Sequence, residues 1–361
     1  MMNKRIKTGG ACILALALML AGLKLPSAYA ALPVDLTKTG EMEFTLVKNV
    51  YPTPAAGEAQ TKFDEDLKAL ELTARLYKVA DISEAGAYTA TADFQALKDE
   101  VKNVTSATTA EEWTAMAAEA AKAASGEGTY TSKKAAGSDV FSKVSKMELG
   151  LYLVTVDDAF SDYHRYSFNP YLISVPNNYY YDTDPKDDAW VYSLTGDRAV
   201  GLKPQRTERL GDLVINKNLT GYNASVGGAY FVYQVSVTRM GEQEAETNVY
   251  KLSFNGTGAK SLMLEDIPAG ATVVVTEVYT GSSYELKTNK IQTATITANP
   301  NSDWKLKEGE TEPAEKVPYT PVSVSFTNDY DGRQNGGSGV VNTFYYEDGI
   351  VNWKNDVAIA N

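Results

Sequence analysis

Three residues of this chain invite chemistry because each extends the apolar face of its own strand. Residues two apart in a β-strand share a face. In LVINK, Lys217 therefore lies with Leu213 and Ile215, and in VVVTEV, Glu277 lies with Val273 and Val275. In VSVSFTND, Val322, Val324 and Phe326 share a face with Asn328, while Ser323, Ser325 and Thr327 take the other. Taken singly, each reads equally well as a strand-end residue whose polar tip reaches solvent. Burying any one alone costs on the order of a few kcal/mol. Burying all three makes sense if they meet.

The chemistry open to such a group is narrow. Apolar surroundings disfavour the charged forms of both Lys and Glu, so the amine is neutral and the carboxyl protonated near neutral pH. A neutral amine is a nucleophile, and a protonated carboxyl polarises the Asn328 amide and shuttles protons. Folding would hold the reactants at effective concentrations of about 10⁵ M or more. The expected product is an amide between Lys217 and Asn328, with ammonia lost. Nothing turns over, because the protein is its own single-use substrate.

The elements that must position these residues are mostly strands. Segments 41–50, 70–82, 150–156, 171–175 and 190–194 alternate apolar and β-branched residues, with a Pro52, Pro54, Gly57 loop after the first. Between them, Phe94, Leu97, Val101 and Val104 recur at helical spacing, and Glu111 to Ala124 is alanine-rich around Trp113 and Met116. These predict two helices inserted into a β domain. A boundary is expected near 200–211, where GLKPQRTERLG is polar. Seven short strands follow, near 212–218, 229–239, 248–254, 259–265, 271–279, 290–297 and 320–329, which suggests a sandwich. A glycine linker, DGRQNGGSG (331–339), leads to VVNTFYYEDGIVNW, a hairpin candidate turning at Asp348-Gly349.

Composition narrows the function classes. The chain has 361 residues, 34 Lys+Arg against 46 Asp+Glu, one His and one Cys. An acidic balance argues against nucleic acid as a partner. The lone His164 leaves no multi-histidine metal site, and a Ser-His-Asp triad would have to be built on it; it is expected at the surface. Residues 1–30 read as a secretory signal: Lys4, Arg5 and Lys7 first, an apolar run from Ala11 to Leu23, then Ala28-Tyr29-Ala30 before cleavage at Ala31. The apolar run is too short for a membrane span of about 20 residues. Cys12 leaves with the signal, so the mature chain has no disulfide available. No cofactor and no metal site are expected.

LVINKNLTGY, IPAGATVVVTEVY and VSFTNDYDG resemble, in that order, the three signature segments of Cna B-type domains in Gram-positive pilins. The resemblance covers about 212–331. It implies an intramolecular isopeptide bond between Lys217 and Asn328, with Glu277 as the proton shuttle. LTARLYKVADI, the helical insertion, GLYLVTV and Trp190-Val-Tyr also resemble the N-terminal domain of such pilins. The fold that follows is mainly β, two tandem Ig-like (Cna B-type) sandwiches, the first with a helical insertion. Its divisions are a signal peptide (1–30), an N-terminal domain (31–205), an isopeptide domain (206–331) and a tail (332–361). In the first domain Val156 stands where the glutamate would be, which leaves Lys48 as a strand-end amine.

The functional expectation is a secreted structural subunit of a Gram-positive pilus or surface fibre, not an enzyme, located at the cell surface. Its partners would be further copies or other pilin subunits, with no membrane span after signal cleavage. The alternative is a wall-associated adhesin that binds a host or glycan ligand through its N-terminal domain. A hydrolase using acidic pairs has no motif behind it. Subunit-linking pilin motifs have Tyr-Pro-Lys-Asn after the Trp; the counterpart here is LKPQ, so Lys203 is either a linking amine or a solvated lysine. No Leu-Pro-any-Thr-Gly signal ends the chain; VPYTP (317–321) is similar but precedes the last strand. The tail either adds a strand to a neighbour's open sheet edge or folds on its own domain. Asp182, Asp184, Asp187 and Asp188 form either a Ca²⁺ loop or an ordinary acidic one. The Tyr179–Tyr181 run either lines a contact with a partner or glycan or covers a sheet face.

Overall fold

A computed structural model describes residues 33–46, 65–105, 107–177, 190–306, 315–333, 340–347 and 350–357. The signal, Lys48, the Tyr179–Tyr181 run, the loop of Asp182, Asp184, Asp187 and Asp188, and Asp348-Gly349 lie outside them. The chain is mainly β, with several sheets and a few short helices. It divides into two compact units. The first comprises Met1–Val50, Lys68–Ala159 and Ser167–Gln205. The second comprises Arg206–Asn361 together with Tyr51–Leu67 and Phe160–Tyr166.

In the first unit a five-stranded antiparallel sheet runs in the order Tyr171–Val175, Gly150–Val156, Leu72–Ile82, Tyr88–Ala90, with Tyr130–Lys134 paired to the start of Leu72–Ile82. The helical insertion is a 3₁₀ turn at Ala92–Leu97 running into Lys98–Lys102, then a helix over Ala110–Ala123. That helix starts where the sequence says it should. Thr109 accepts from the Glu112 N–H while the Glu112 carboxylate accepts from the Thr109 N–H, a reciprocal capping box. Phe94, Leu97, Val101, Ala117 and Ala120 form one buried cluster with Val79, Leu151 and Leu153 of the sheet. The strand Tyr130–Lys134 is absent from the sequence reading because YTSKK looks solvent-facing. Its Lys134 is nevertheless buried, donating to the carbonyls of Lys68, Leu70 and Ala135.

The second unit is a sandwich of two four-stranded sheets. Its strands are β1 (Leu210–Leu219), β2 (Ala229–Thr238), β3 (Ala245–Phe254), β4 (Gly258–Pro268), β5 (Thr272–Tyr279), β6 (Tyr284–Leu286), β7 (Ile291–Thr295) and β8 (Val322–Tyr330). One sheet is ordered β4-β1-β8-β6 and the other β3-β2-β5-β7. The first and last strands, β1 and β8, are parallel neighbours. Alternation delivers Leu213, Ile215, Phe231, Tyr233, Val235, Val273, Val275, Val324 and Phe326 into one core. The three-residue strand β6 makes eight strands where seven were expected; at that length it carries too little alternation to be read. The polar stretch near 200–211, where a boundary was expected, carries strands at Val200–Leu202 and Pro204–Glu208 before β1 begins.

His164 is the clearest departure from expectation. It is 4% exposed rather than at the surface. Its Nδ1 lies 3.0 Å from an Asp66 carboxylate oxygen that also accepts from the Ser161 hydroxyl and, at 2.9 Å, from Tyr166. Nearby, Arg209 grips Asp303 through two bonds of 2.9 Å, and Arg165 donates to the Asp303 carbonyl. Burial pushes the Asp66 carboxyl up, but hydrogen bonds from His164, Ser161 and Tyr166 outweigh it and hold the group below its ordinary range. This polar network gives the short Phe160–Tyr166 segment its place in the second unit. It bears no resemblance to a nucleophilic triad, since Ser161 donates to the carboxylate directly.

The tail forms a separate hairpin of β9 (Val340–Glu347) and β10 (Ile350–Val357), in register from Val340 opposite Val357 to Glu347 opposite Ile350. It is paired with neither four-stranded sheet of its unit.

Candidate functional site

Lys217 enters the core from β1, Glu277 from β5 and Asn328 from β8. The parallel register sets Lys217 opposite Phe326 and Leu219 opposite Asn328. Lys217 and Asn328 thus point to the same face, offset by two residues. Glu277 comes from the facing sheet, directly across β2–β5 from Tyr233. All three side chains are sealed: Lys217 is 1% exposed, Glu277 and Asn328 not at all.

Inside, the polar atoms close a ring. Lys217 Nζ donates to Glu277 Oε2 at 2.7 Å and to Asn328 Oδ1. Asn328 Nδ2 donates to Glu277 Oε1 at 2.6 Å and, at 3.4 Å, to the Thr280 carbonyl. The amine therefore sits against the amide it would attack, and one carboxyl group contacts both the attacking and the leaving nitrogen. The wall is aromatic. The Phe231 ring centroid is 4.0 Å from Nζ and that of Tyr233 is 5.8 Å away. Phe326 packs on Tyr233 at 5.1 Å.

Electrostatics follow from the seal. Burial pushes the Lys217 amine down to about 8, against the opposing pull of Glu277. Burial likewise raises the Glu277 carboxyl, although Lys217, Asn328 and Tyr233 oppose it. Both shifts favour the neutral pair, amine beside carboxylic acid, over the ion pair. That is the protonation state in which an amine attacks.

The other sequence candidates stay apart from this cluster. Lys203 is an exposed lysine between Val200–Leu202 and Pro204–Glu208. Val156 is a buried strand residue opposite Ala74. VPYTP is held against the second unit: Asn301 pairs with both backbone groups of Val317, and the Tyr319 hydroxyl accepts from Asp212 N–H. Sequence reasoning missed Phe231, Tyr233 and the Thr280 carbonyl. The alternation of Phe231, Tyr233 and Val235 in FVYQV marks a core face, but nothing in it says which residue that face meets.

Residues 213–331 match a family described as Domain of unknown function (DUF5979). No curated protein matches the chain. Solved structures it resembles include Gram-positive pilins. A variant of the major pilin of Streptococcus pyogenes is 12% identical with a TM-score of 0.21, covering 81% of this chain and 99% of that one. The major pilin SpaD of Corynebacterium diphtheriae is 10% identical with a TM-score of 0.25, covering 83% and 99%. A pilus-presented adhesin, Spy0125 (Cpa), is 12% identical with a TM-score of 0.23; the match covers 52% of this chain and spans only 38% of that adhesin.

Proposed function

We propose that the chain is a secreted structural subunit of a Gram-positive pilus or surface fibre, locked by an autocatalytic amide between Lys217 and Asn328. The observation that carries this reading is the sealed ring of Lys217, Glu277 and Asn328, which has no outlet to a substrate and every atom needed for one internal reaction. Nζ of the neutral amine attacks Cγ of Asn328, forming the Nζ–Cγ bond. The Glu277 acid gives its proton to Nδ2, the Cγ–Nδ2 bond breaks, and ammonia leaves. Glu277 then takes the surplus proton from Nζ and ends as it began. The aromatic wall excludes the water that would otherwise solvate the amine and hold it protonated.

The location of the bond suits a load-bearing part. It would join the first and last strands of the sandwich, so tension entering at β1 and leaving after β8 passes through a covalent link. A mature chain without cysteine gains a crosslink that no reductant opens. The signal-like residues 1–30 support export, and the partners in this reading are further copies or other pilin subunits at the cell surface.

Intact mass decides it. The wild-type protein should weigh about 17 Da less than its sequence, one ammonia per crosslink, while Lys217→Ala, Glu277→Ala and Asn328→Ala should each match their sequence mass. A wild-type mass equal to the sequence mass overturns the reading.

A further inference from the structure

Two polar groups in this chamber are left over when the reaction is written out. The first is the Tyr233 hydroxyl, fully buried and without a hydrogen bond of ordinary length, although it lies close enough to the Glu277 carboxyl to pull it down. Buried hydroxyls are rarely left so, because the missing bond is a net loss against water. The second is Glu277 Oε1, whose donor is the Asn328 Nδ2 that departs as ammonia. Tyr233 and Glu277 face each other across the β2–β5 ladder, where one extra residue in β5, Val278, shifts the register between Val232 and Tyr233. Opposed residues on neighbouring strands are within side-chain reach. The ring of Tyr233 is also wedged between Phe326 and the Lys217 amine.

We propose that Tyr233 is a positioning residue for bond formation: its hydroxyl donates to Glu277 as Asn328 Nδ2 leaves, holding the carboxylate while it collects the proton from Nζ. The inference rests on the isopeptide reading. Tyr233 neither gives up its own proton nor touches the reacting bond. It fills the donor position that ammonia vacates, so that a buried carboxylate is never left without a partner. The same pairing accounts for why a tyrosine stands where phenylalanine would pack equally well.

Folding of the full-length mature chain, collected unfolded from inclusion bodies before any amide has formed and sampled by intact mass over a range of pH, separates this role from a packing role. Tyr233→Phe should still lose ammonia, but about ten-fold more slowly. The alkaline limb of its rate–pH profile should move upward, because Glu277 reacts as the acid and loses a donor that stabilises its anion. A packing role predicts something different. It predicts a loss of melting temperature, whereas the proposal predicts none, read in the Lys217→Ala background, where no bond forms and Asn328 Nδ2 stays on Glu277. Slower crosslinking with the displaced limb and undiminished melting temperature supports the proposal. An unchanged rate and profile overturns it, as does a loss of rate matched by a loss of melting temperature. A wild-type chain that never loses 17 Da overturns the isopeptide reading itself, and this proposal with it, which the wild-type arm alone identifies.

Discussion

A lysine amine sealed among Phe231, Tyr233 and Phe326 behaves unlike a surface lysine, and that difference is measurable. In Asn328→Ala no amide forms, so Lys217 remains a titrating amine in the folded state. Its folded value near 8 lies below the ordinary 10.5. The unfolded chain therefore holds a proton that the folded one releases, and stability rises as pH climbs through that window. A crosslinked wild type has no amine to titrate there. The gap in denaturant midpoint between wild type and Asn328→Ala should narrow from about pH 8 to 10.5. Comparing the two proteins cancels the buried tyrosines, which titrate in both. A constant gap across the window contradicts the buried-amine account. At this scale the sequence was legible for Lys217, Glu277 and Asn328 and misleading for His164. Strand alternation placed the three, whereas the burial of His164 depends on Asp66, which lies far away in the chain.

Register converts three correctly facing residues into a site. A slip of one residue in the β1–β8 pairing would turn Asn328 out of the core while Lys217 stayed in. On the other side of β1, the pairing with β4 is pinned by a bulge between Gly211 and Leu213. Gly211 is tight against other backbone: a Cβ there would collide with the Thr297 carbonyl and lie 2.8 Å from Ile296 Cγ2. Gly211→Ala should destabilise the second unit by about 1–3 kcal/mol through overpacking, visible as a lower denaturant midpoint. No change would mean that the bulge has room to relax. The long strands of the sandwich and the Ala110–Ala123 helix could be read from periodicity. Tyr130–Lys134, Pro204–Glu208 and β6 could not, since short or polar strands are defined by the partner they bond and not by their own pattern.

Across the second unit, the proposed amide closes a loop of 111 residues between Lys217 and Asn328. By analogy with disulfide loop entropy this is worth about 4–5 kcal/mol. Asn328→Ala should therefore lower the melting temperature of this unit by roughly 10–20 °C in scanning calorimetry. An unshifted transition would count against a covalent lock between the first and last strands, whatever the geometry of the cluster.

What the sequence alone determined is local: which face of its strand each of Lys217, Glu277 and Asn328 occupies, and where 3.6-residue periodicity replaces alternation. Those properties depend on neighbours two to four positions away. The rest belongs to the tertiary structure. Lys217 meets Glu277 across 60 residues of chain and Asn328 across 111. The aromatic wall and the burial of the Tyr233 hydroxyl and of His164 arise from contacts of similar range. Strand pairing and sheet stacking set those contacts, and they emerge only when the whole core is packed at once.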